Sequence, residues 1–433
     1  MFLLTKLAEN DMIKEGEKEG ETMKLLHTAD LHMDRSFEGL TGIPTALAKR
    51  LREANQQLLM NIVTVAIREA VDLVIFAGDT FHQSQTSISM QAQLMAALEQ
   101  LKQAEIPVIL TFGNHDYYKK DRYWFSFPDN VFLFEKEMVE TLYFETKAGE
   151  QVAVSGFSYE HPWIDENKAL EFPIKQAESD IHIGIYHGDT SRKAQQNYAP
   201  FTWKDLKATG YNYWALGHIH QPQIVSEQPL IVYPGTPQGH TKKEQSLQGV
   251  AVVTLSQNQA TVQFEKVAEI DWTNEEISLA QCRDTQSVLS YLETSLLTKW
   301  HAHQQQQLMA LTLKETQHLD VTVVQAIVNG ELLSYLQQQL LQKTQGDFFV
   351  YRLILQAEEP TKEPIYLAAS PNLLTALEKT YLDPVIFEDT TKELLRYPEF
   401  AGIFSMDEQW RLESLDLAHE QINEDFTIQE DPL

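Results

Sequence analysis

Cysteine is almost missing from this chain. Cys282 stands alone, so no internal disulfide can form, and a reducing, cytoplasmic setting is expected. No stretch approaches the ~20 apolar residues that a membrane-spanning helix needs, and the opening Met1-Phe2-Leu3-Leu4 is too short for the apolar core of a secretion signal. The expectation is a soluble protein with no membrane partner. Positive charge is scarce as well: 34 Lys and Arg face 62 Asp and Glu, for a net charge of −28. That balance argues against nonspecific coating of nucleic acid, because phosphate affinity comes mainly from clustered basic side chains. The deficit is uneven. Residues 356–433 hold 18 acidic and 5 basic side chains, a local net of −13, so the rest is only mildly acidic. There is no internal repeat.

What the chain does have is enough apolar residue for more than one core: 433 residues, 43% of them hydrophobic. Residues 1–22 carry charge without periodicity, as in Lys14-Glu15-Gly16-Glu17-Lys18-Glu19, and are expected to be a disordered extension. Met23 is a candidate start, with a flexible tail as the alternative. From Lys24 onward strands and helices alternate, the pattern of an α/β domain. Strands are expected at Lys24–Thr28, Leu73–Ala77, Pro107–Phe112, Val131–Phe134, Gln151–Phe157, Ile181–Tyr186, Tyr213–Leu216, Leu230–Tyr233 and Gly249–Leu255, and helices at Thr45–Ala70 and Ile88–Ala104. The first domain is expected over 23–268. A small α/β cap over 269–357 follows, with helices at Thr285–Thr298 and Val321–Lys343, and then an acidic helical segment over 358–433 that includes helices at Asn372–Tyr381 and Met406–Ala418.

Five short clusters end or follow apolar strands: Asp30-Leu31-His32, Gly78-Asp79, Gly113-Asn114-His115-Asp116, His187-Gly188 and Gly217-His218-Ile219-His220. Any one alone would read as a turn with a capping carboxylate. Together, and each at a strand end, they read as a site, because loops at the carboxyl ends of α/β strands converge. Carboxylates, an amide oxygen and imidazoles without a thiolate suit hard or borderline divalent cations. On an extended segment the first and third side chains of Asp-x-His share one face, as do those of His218 and His220. A carboxylate such as Asp79 can bridge two ions at the separation two-metal hydrolysis uses.

This ordered set resembles the calcineurin-type metallophosphoesterases, and the flanking residues are similar to SbcD-like DNA-repair exonucleases of the YhaO branch. The similar stretches are His27 to Asp34, Pro128 to Val131, Gly156 to Tyr159, Tyr198 to Pro200, Tyr213 to His220 and Tyr233 to Gly239. The resemblance implies a four-layer sandwich, two sheets flanked by helices. It further implies that Asp30, His32 and His220 bind one metal, that Asn114, His187 and His218 bind a second, and that Asp79 bridges them. His115 would not be a ligand; it would assist the leaving oxygen, with Asp116 orienting its ring. Two divalent ions are implied, Mn foremost, with Fe, Zn or Mg as alternatives. His82, where the family usually has Asp, and His240, where Arg is common, are departures expected to adjust substrate contacts. His27 is expected to be a packed strand residue, and His161 and His182 surface or supporting residues.

Beside His115 runs Tyr117-Tyr118-Lys119-Lys120-Asp121-Arg122-Tyr123-Trp124, in which Lys119, Lys120 and Arg122 are candidate DNA contacts between stacking aromatics. Basic side chains over core-anchored aromatics are the competing reading. The implied function is a Mn-dependent nuclease acting on DNA ends with an SMC-like coiled-coil ATPase. Leu373, Leu374, Leu377 and Tyr381 are candidate contacts for that partner. A DNA-end-binding scaffold and a diesterase for small substrates are the alternatives, and a homodimer stays open.

Overall fold

The computed structural model describes residues 22–356 except 41, 147–148, 192–195, 246–248 and 303–305, and after 356 only 366–367, 380, 383–391, 411 and 427–428. The expected disorder before Met23 and the helices expected at Asn372–Tyr381 and Met406–Ala418, with Leu373, Leu374, Leu377 and Tyr381, lie largely outside the described residues. The chain divides into two compact units, one running to Leu355 and one starting at Gln356. In the second unit, Tyr366–Leu367 pair with Thr427–Ile428, and a helix covers Pro384–Thr391.

Alternation along the strands builds the first unit. In β1 (Met23–Thr28), Leu26 packs with helices α1 (Thr45–Arg68) and α2 (Ile88–Gln103), while Leu25 packs toward a second sheet. In β2 (Leu73–Ala77), Val74 and Phe76 take the helix side, Leu73 and Ile75 the other. Successive side chains point to opposite faces, so strands covered on both faces must be apolar throughout. The first sheet runs β12 (Ala260–Lys266), β11 (Gly249–Leu255), β1, β2, β3 (Val108–Thr111), β4 (Val131–Leu133). Its β1 to β4 are parallel, and β11 and β12 are antiparallel.

The second sheet runs β5 (Glu140–Glu145), β6 (Gln151–Gly156), β7 (Ile181–His187), β8 (Tyr213–Gly217), β10 (Leu230–Tyr233), β9 (Gln223–Glu227). Its inner face, with Val152, Ile183 and Tyr213, meets the first sheet. Its outer face, with Tyr186, Trp214 and Ile231, is covered by α3 (Trp203–Ala208) and the chain around Phe172. The result is a mixed α/β architecture of two sheets flanked by helices. Among the described residues no helix is long and apolar enough to cross a membrane.

A third, parallel sheet of β13 (Ile270–Ser278), β14 (Gln306–Lys314) and β15 (Phe348–Leu355) follows, with α4 (Thr285–Ala302), α5 (Val321–Val328) and α6 (Glu331–Lys343). One face packs on Leu292, Leu296, Leu336 and Leu340. Through Trp272, Leu308 and Phe349 the other packs on Leu47 and Leu51 of α1. The single helix expected over Val321–Lys343 is two helices. Gly330, at φ +82°, takes the left-handed conformation between them that a side chain would resist.

Candidate metal centre

Four of the motif residues, just past their strands, take left-handed backbone. Asp30, His32 and Asp79 have φ of +53°, +45° and +51°, and His218 +97°. Such backbone costs on the order of 1–3 kcal/mol per residue and persists where its surroundings impose it. Asp30 and His32 follow β1, Asp79 follows β2, Asn114 to Asp116 follow β3, His187 ends β7, and His218 and His220 follow β8. Thus two sheets deliver side chains to one place. Two glycines make room: a Cβ on Gly78 would stand 2.3 Å from His187 Nδ1, and one on Gly113 would stand 2.2 Å from Asp79 Oδ1.

The donor atoms converge. His32 Nε2 lies 3.2 Å from His220 Nε2, and His220 Nε2 lies 4.0 Å from Asp30 Oδ1. Asn114 Oδ1 is 3.1 Å from His187 Nε2 and 3.2 Å from His218 Nδ1. Between the two sets is Asp79, whose Oδ2 is 3.4 Å from His187 Nε2 and 3.9 Å from His32 Nε2. Three groups of donors each lie within 4.8 Å and could hold an ion: Asp30, His32 and His220; Asp30, Asp79 and His187; His32, His82 and His115. All seven side chains that the motifs nominate as ligands therefore sit together.

Burial and charge act against each other here. Burial pushes Asp30 up to about 6, although His187 and His220 pull it down. Burial also raises Asp79, but the imidazoles of His187 and His32 outweigh it and hold the carboxyl below the usual range. Burial lowers His187, yet the Asp79 carboxylate brings it up to about 9. His218 is pushed down to about 4 by burial and by His187, and burial holds His32 well below its ordinary value.

The donor set fits divalent ions. Asp30 and Asp79 are fully buried, and among the described residues no Lys or Arg pairs with either. Two buried carboxylates facing converging imidazole lone pairs leave negative potential that a cation would neutralise. His187 donates from Nδ1 to the Ala77 carbonyl at 2.9 Å, which leaves Nε2 turned to Asp79 and Asn114 and able to ligate.

One expectation is corrected. Asp116 does not orient the His115 ring. Its carboxylate accepts from the backbone N–H groups of Gly113, Thr80, Asp79 and Phe81 at 2.8, 2.8, 3.2 and 3.3 Å, clasping the loop after β2 to the loop after β3. The ring is held instead through Nδ1, 3.0 Å from the His82 carbonyl, and by stacking on the His82 imidazole at 4.7 Å. His182, expected at the surface or in a supporting place, is buried, bonded to Ser155 and stacked on Tyr211. His27 is packed in the core and bonds Tyr213, while His161 is exposed beside Glu137.

The basic loop divides. Tyr118 and Tyr123 pack on Phe112, so they anchor the loop to the core. Arg122 lies over the Tyr117 ring at 4.2 Å and donates to its hydroxyl. Lys119 and Lys120 are exposed, and Trp124 is 71% exposed. Sequence reasoning missed Glu244, whose Oε1 is 2.6 Å from His220 Nδ1, and Arg35, 3.2 Å from the same oxygen. Thr241-Lys242-Lys243-Glu244 reads as an ordinary polar loop, and nothing in its spacing ties it to the motifs. Tyr198 enters the sequence reading only as part of a similar stretch, and its place beside His218, ring to ring at 4.6 Å, is seen in the structure alone.

The calcineurin-like phosphoesterase family profile matches residues 23–222. The chain is 30% identical over 273 residues to the uncharacterized metallophosphoesterase YhaO of Bacillus subtilis, covering 63% of this chain and 67% of that one. It is 22% identical over 284 residues to the DNA double-strand break repair protein Mre11 of Methanopyrus kandleri, covering 58% of each. With a component of the nuclease SbcCD of Bacillus subtilis it shares 24% over 258 residues, 51% of this chain and 63% of that one. The chain thus spans less than two thirds of the latter two.

Proposed function

Because the chain belongs to the calcineurin-like phosphoesterase family, whose members bind two metal ions, we propose that it is a Mn-dependent phosphodiesterase that cuts DNA ends beside an SMC-like coiled-coil ATPase. Asp30, His32 and His220 would hold one ion, Asn114, His187 and His218 the other, and Asp79 both. The observation that carries the two-metal reading is the position of Asp79, within 3.4 Å of His187 and 3.9 Å of His32. Bound ions would supply charge for the phosphoryl oxygens and lower the pKa of water, so no side-chain nucleophile is needed.

The protein's own groups do the rest. His115, fixed through Nδ1 to the His82 carbonyl, keeps Nε2 for the departing oxygen. Lys119 and Lys120 neutralise phosphates next to it, and Trp124 offers a face to an unpaired base. DNA as substrate comes from likeness to the DNA double-strand break repair protein Mre11 and the nuclease SbcCD, and an ATPase as partner from the resemblance of the motif stretches alone.

The test is hydrolysis by the purified chain, with Mn and with chelator, of labelled duplex, single-stranded DNA and bis-p-nitrophenyl phosphate. Mn-dependent DNA cleavage is expected. Cleavage of the small diester alone overturns the DNA reading, and end binding without hydrolysis of any substrate favours a scaffold.

A further inference from the structure

The imidazoles of the centre are not equally walled in. The side chains of His32 and His187 are 1% exposed, whereas that of His220 is 29% exposed. A ring open to solvent on one side is not oriented by packing, so something else must hold it if it is to ligate reliably. Its Nδ1 meets Glu244 Oε1 at 2.6 Å. Among the described residues, no other imidazole of the centre has a carboxylate so close to the nitrogen turned away from the ligand cluster: His187 uses the Ala77 carbonyl, His115 the His82 carbonyl, and Asp189 is 3.7 Å from His218 Nε2.

Glu244 is itself immobilised. Its side chain is 9% exposed. Oε1 also accepts from Arg35 Nη1 at 3.2 Å, and Oε2 accepts from the backbone N–H groups of His240 and Thr241 at 2.7 and 3.0 Å. A carboxylate held at one oxygen by Arg35 and at the other by the His240–Thr241 backbone has a fixed plane, and the ring bonded to it takes its direction from that plane. A carboxylate can only accept, so Nδ1 carries an N–H, and Nε2, 3.2 Å from His32 Nε2, is the atom turned to the ligand cluster.

We propose that Glu244 is the positioning residue of the metal centre, fixing the tautomer and direction of His220 from outside the ligand set. The inference rests on the reading of His220 as a ligand. Glu244→Gln is the sharp variant, because a carboxamide cannot serve both sides. With its oxygen on the His240 and Thr241 N–H groups, its NH2 meets Nδ1, and the ring proton moves to Nε2, where it blocks ligation.

The experiment is calorimetric titration with Mn of the full chain as wild type, Glu244→Gln, His220→Ala and the double variant, together with melting curves and imidazole nitrogen resonances of 15N-histidine-labelled, metal-free protein. Wild type should bind two ions. Glu244→Gln should loosen one of them by roughly 10–100-fold, the range for lost outer partners, leave the other unchanged, and move the His220 proton from Nδ1 to Nε2. In the His220→Ala background the same substitution should add less than about twofold, because the two residues act as a unit. Glu244→Ala serves if the carboxamide variant does not fold. Equal weakening with and without His220, or unchanged affinity in a variant with altered melting, would make Glu244 a loop brace and overturn the proposal. If His220→Ala itself keeps both ions at wild-type affinity, the ligand reading fails and the inference falls with it.

Discussion

The backbone N–H of His115 donates to Asp79 Oδ1 at 2.9 Å, while Oδ2 of the same carboxylate faces His187 and His32. One oxygen is spent on the loop that carries His115 and the other on the ligands. Asp79→Asn removes the charge and turns an NH2 toward one side or the other. Hydrolysis of every substrate should be lost and Mn stoichiometry should fall below two. Retention of more than about a tenth of wild-type turnover with two ions bound would contradict the bridging role.

Mn binding should tighten as pH rises. In the metal-free protein Asp79 raises His187 to about 9 against the effect of burial, so at pH 7 this proposed ligand carries a proton that an incoming ion must displace. His218, at about 4, is already neutral. With that proton displaced, and with Asp30 at about 6 and His220, raised against burial by its bond to Glu244, adding to the count toward acid, the apparent affinity should climb by at least about tenfold per pH unit between about 6 and 9 and then level off. Calorimetry in buffers of different ionisation enthalpy counts the proton; zero release at pH 7 would refute the assignment.

Gly113→Ala should empty the site. Its Cβ would fall 2.2 Å from Asp79 Oδ1 and 2.7 Å from His187 Nε2, so one of two buried, mutually bonded groups must move. The expected result is loss of at least one ion by metal analysis, with a folded chain by circular dichroism. Wild-type metal content in the variant would show that the loop can relax.

For the basic loop the structure separates the two lysines from Arg122. Lys119→Ala with Lys120→Ala should weaken DNA binding and flatten its salt dependence by about one unit of slope for each phosphate no longer neutralised. Turnover of a small diester should survive. Arg122→Ala instead removes the brace on Tyr117, and should affect both substrates. An equal effect of the lysine pair on both substrates would make the loop structural.

His115→Ala should leave both ions bound, because on the proposed reading Asp30, His32, Asp79, Asn114, His187, His218 and His220 supply the ligands without it. Cleavage of DNA, with its poor alkoxide leaving group, should fall by roughly 10²–10⁴, the range for a positioned acid. Release of nitrophenolate, which needs little protonation, should fall much less. Loss of an ion would place His115 among the ligands, in keeping with its grouping with His32 and His82.

The buried strands were legible because burial on both faces demands apolar runs: Leu73–Ala77, Leu230–Tyr233 and Gly249–Leu255 have the bounds read from the sequence. Edge strands were not. Gln223–Glu227 is mostly exposed and Ala260–Lys266 alternates with polar residues, so neither carries an apolar signal that stands out from a loop. The same contrast governs the site. Residues at strand ends announce themselves by motif, whereas Glu244 and the His82 carbonyl act on residues 24 and 33 positions away in sequence. The role of Asp116 was misread for a related reason: adjacency to His115 suggested a partner, but its carboxylate turns to the backbone of residues 79–81.

Asp30, His32, Asp79 and Asn114 hang from one sheet and His187, His218 and His220 from the other, and the two sheets meet mainly through apolar side chains. Apolar contact sets how far apart two layers lie but resists sliding only weakly, because it has no direction. Ligation does have direction. Ions held at the rim would act as rivets through both plates, so the layers would keep their alignment only as well as the metal is retained. The free concentration of the metal then becomes a variable of the fold's rigidity as well as of its chemistry.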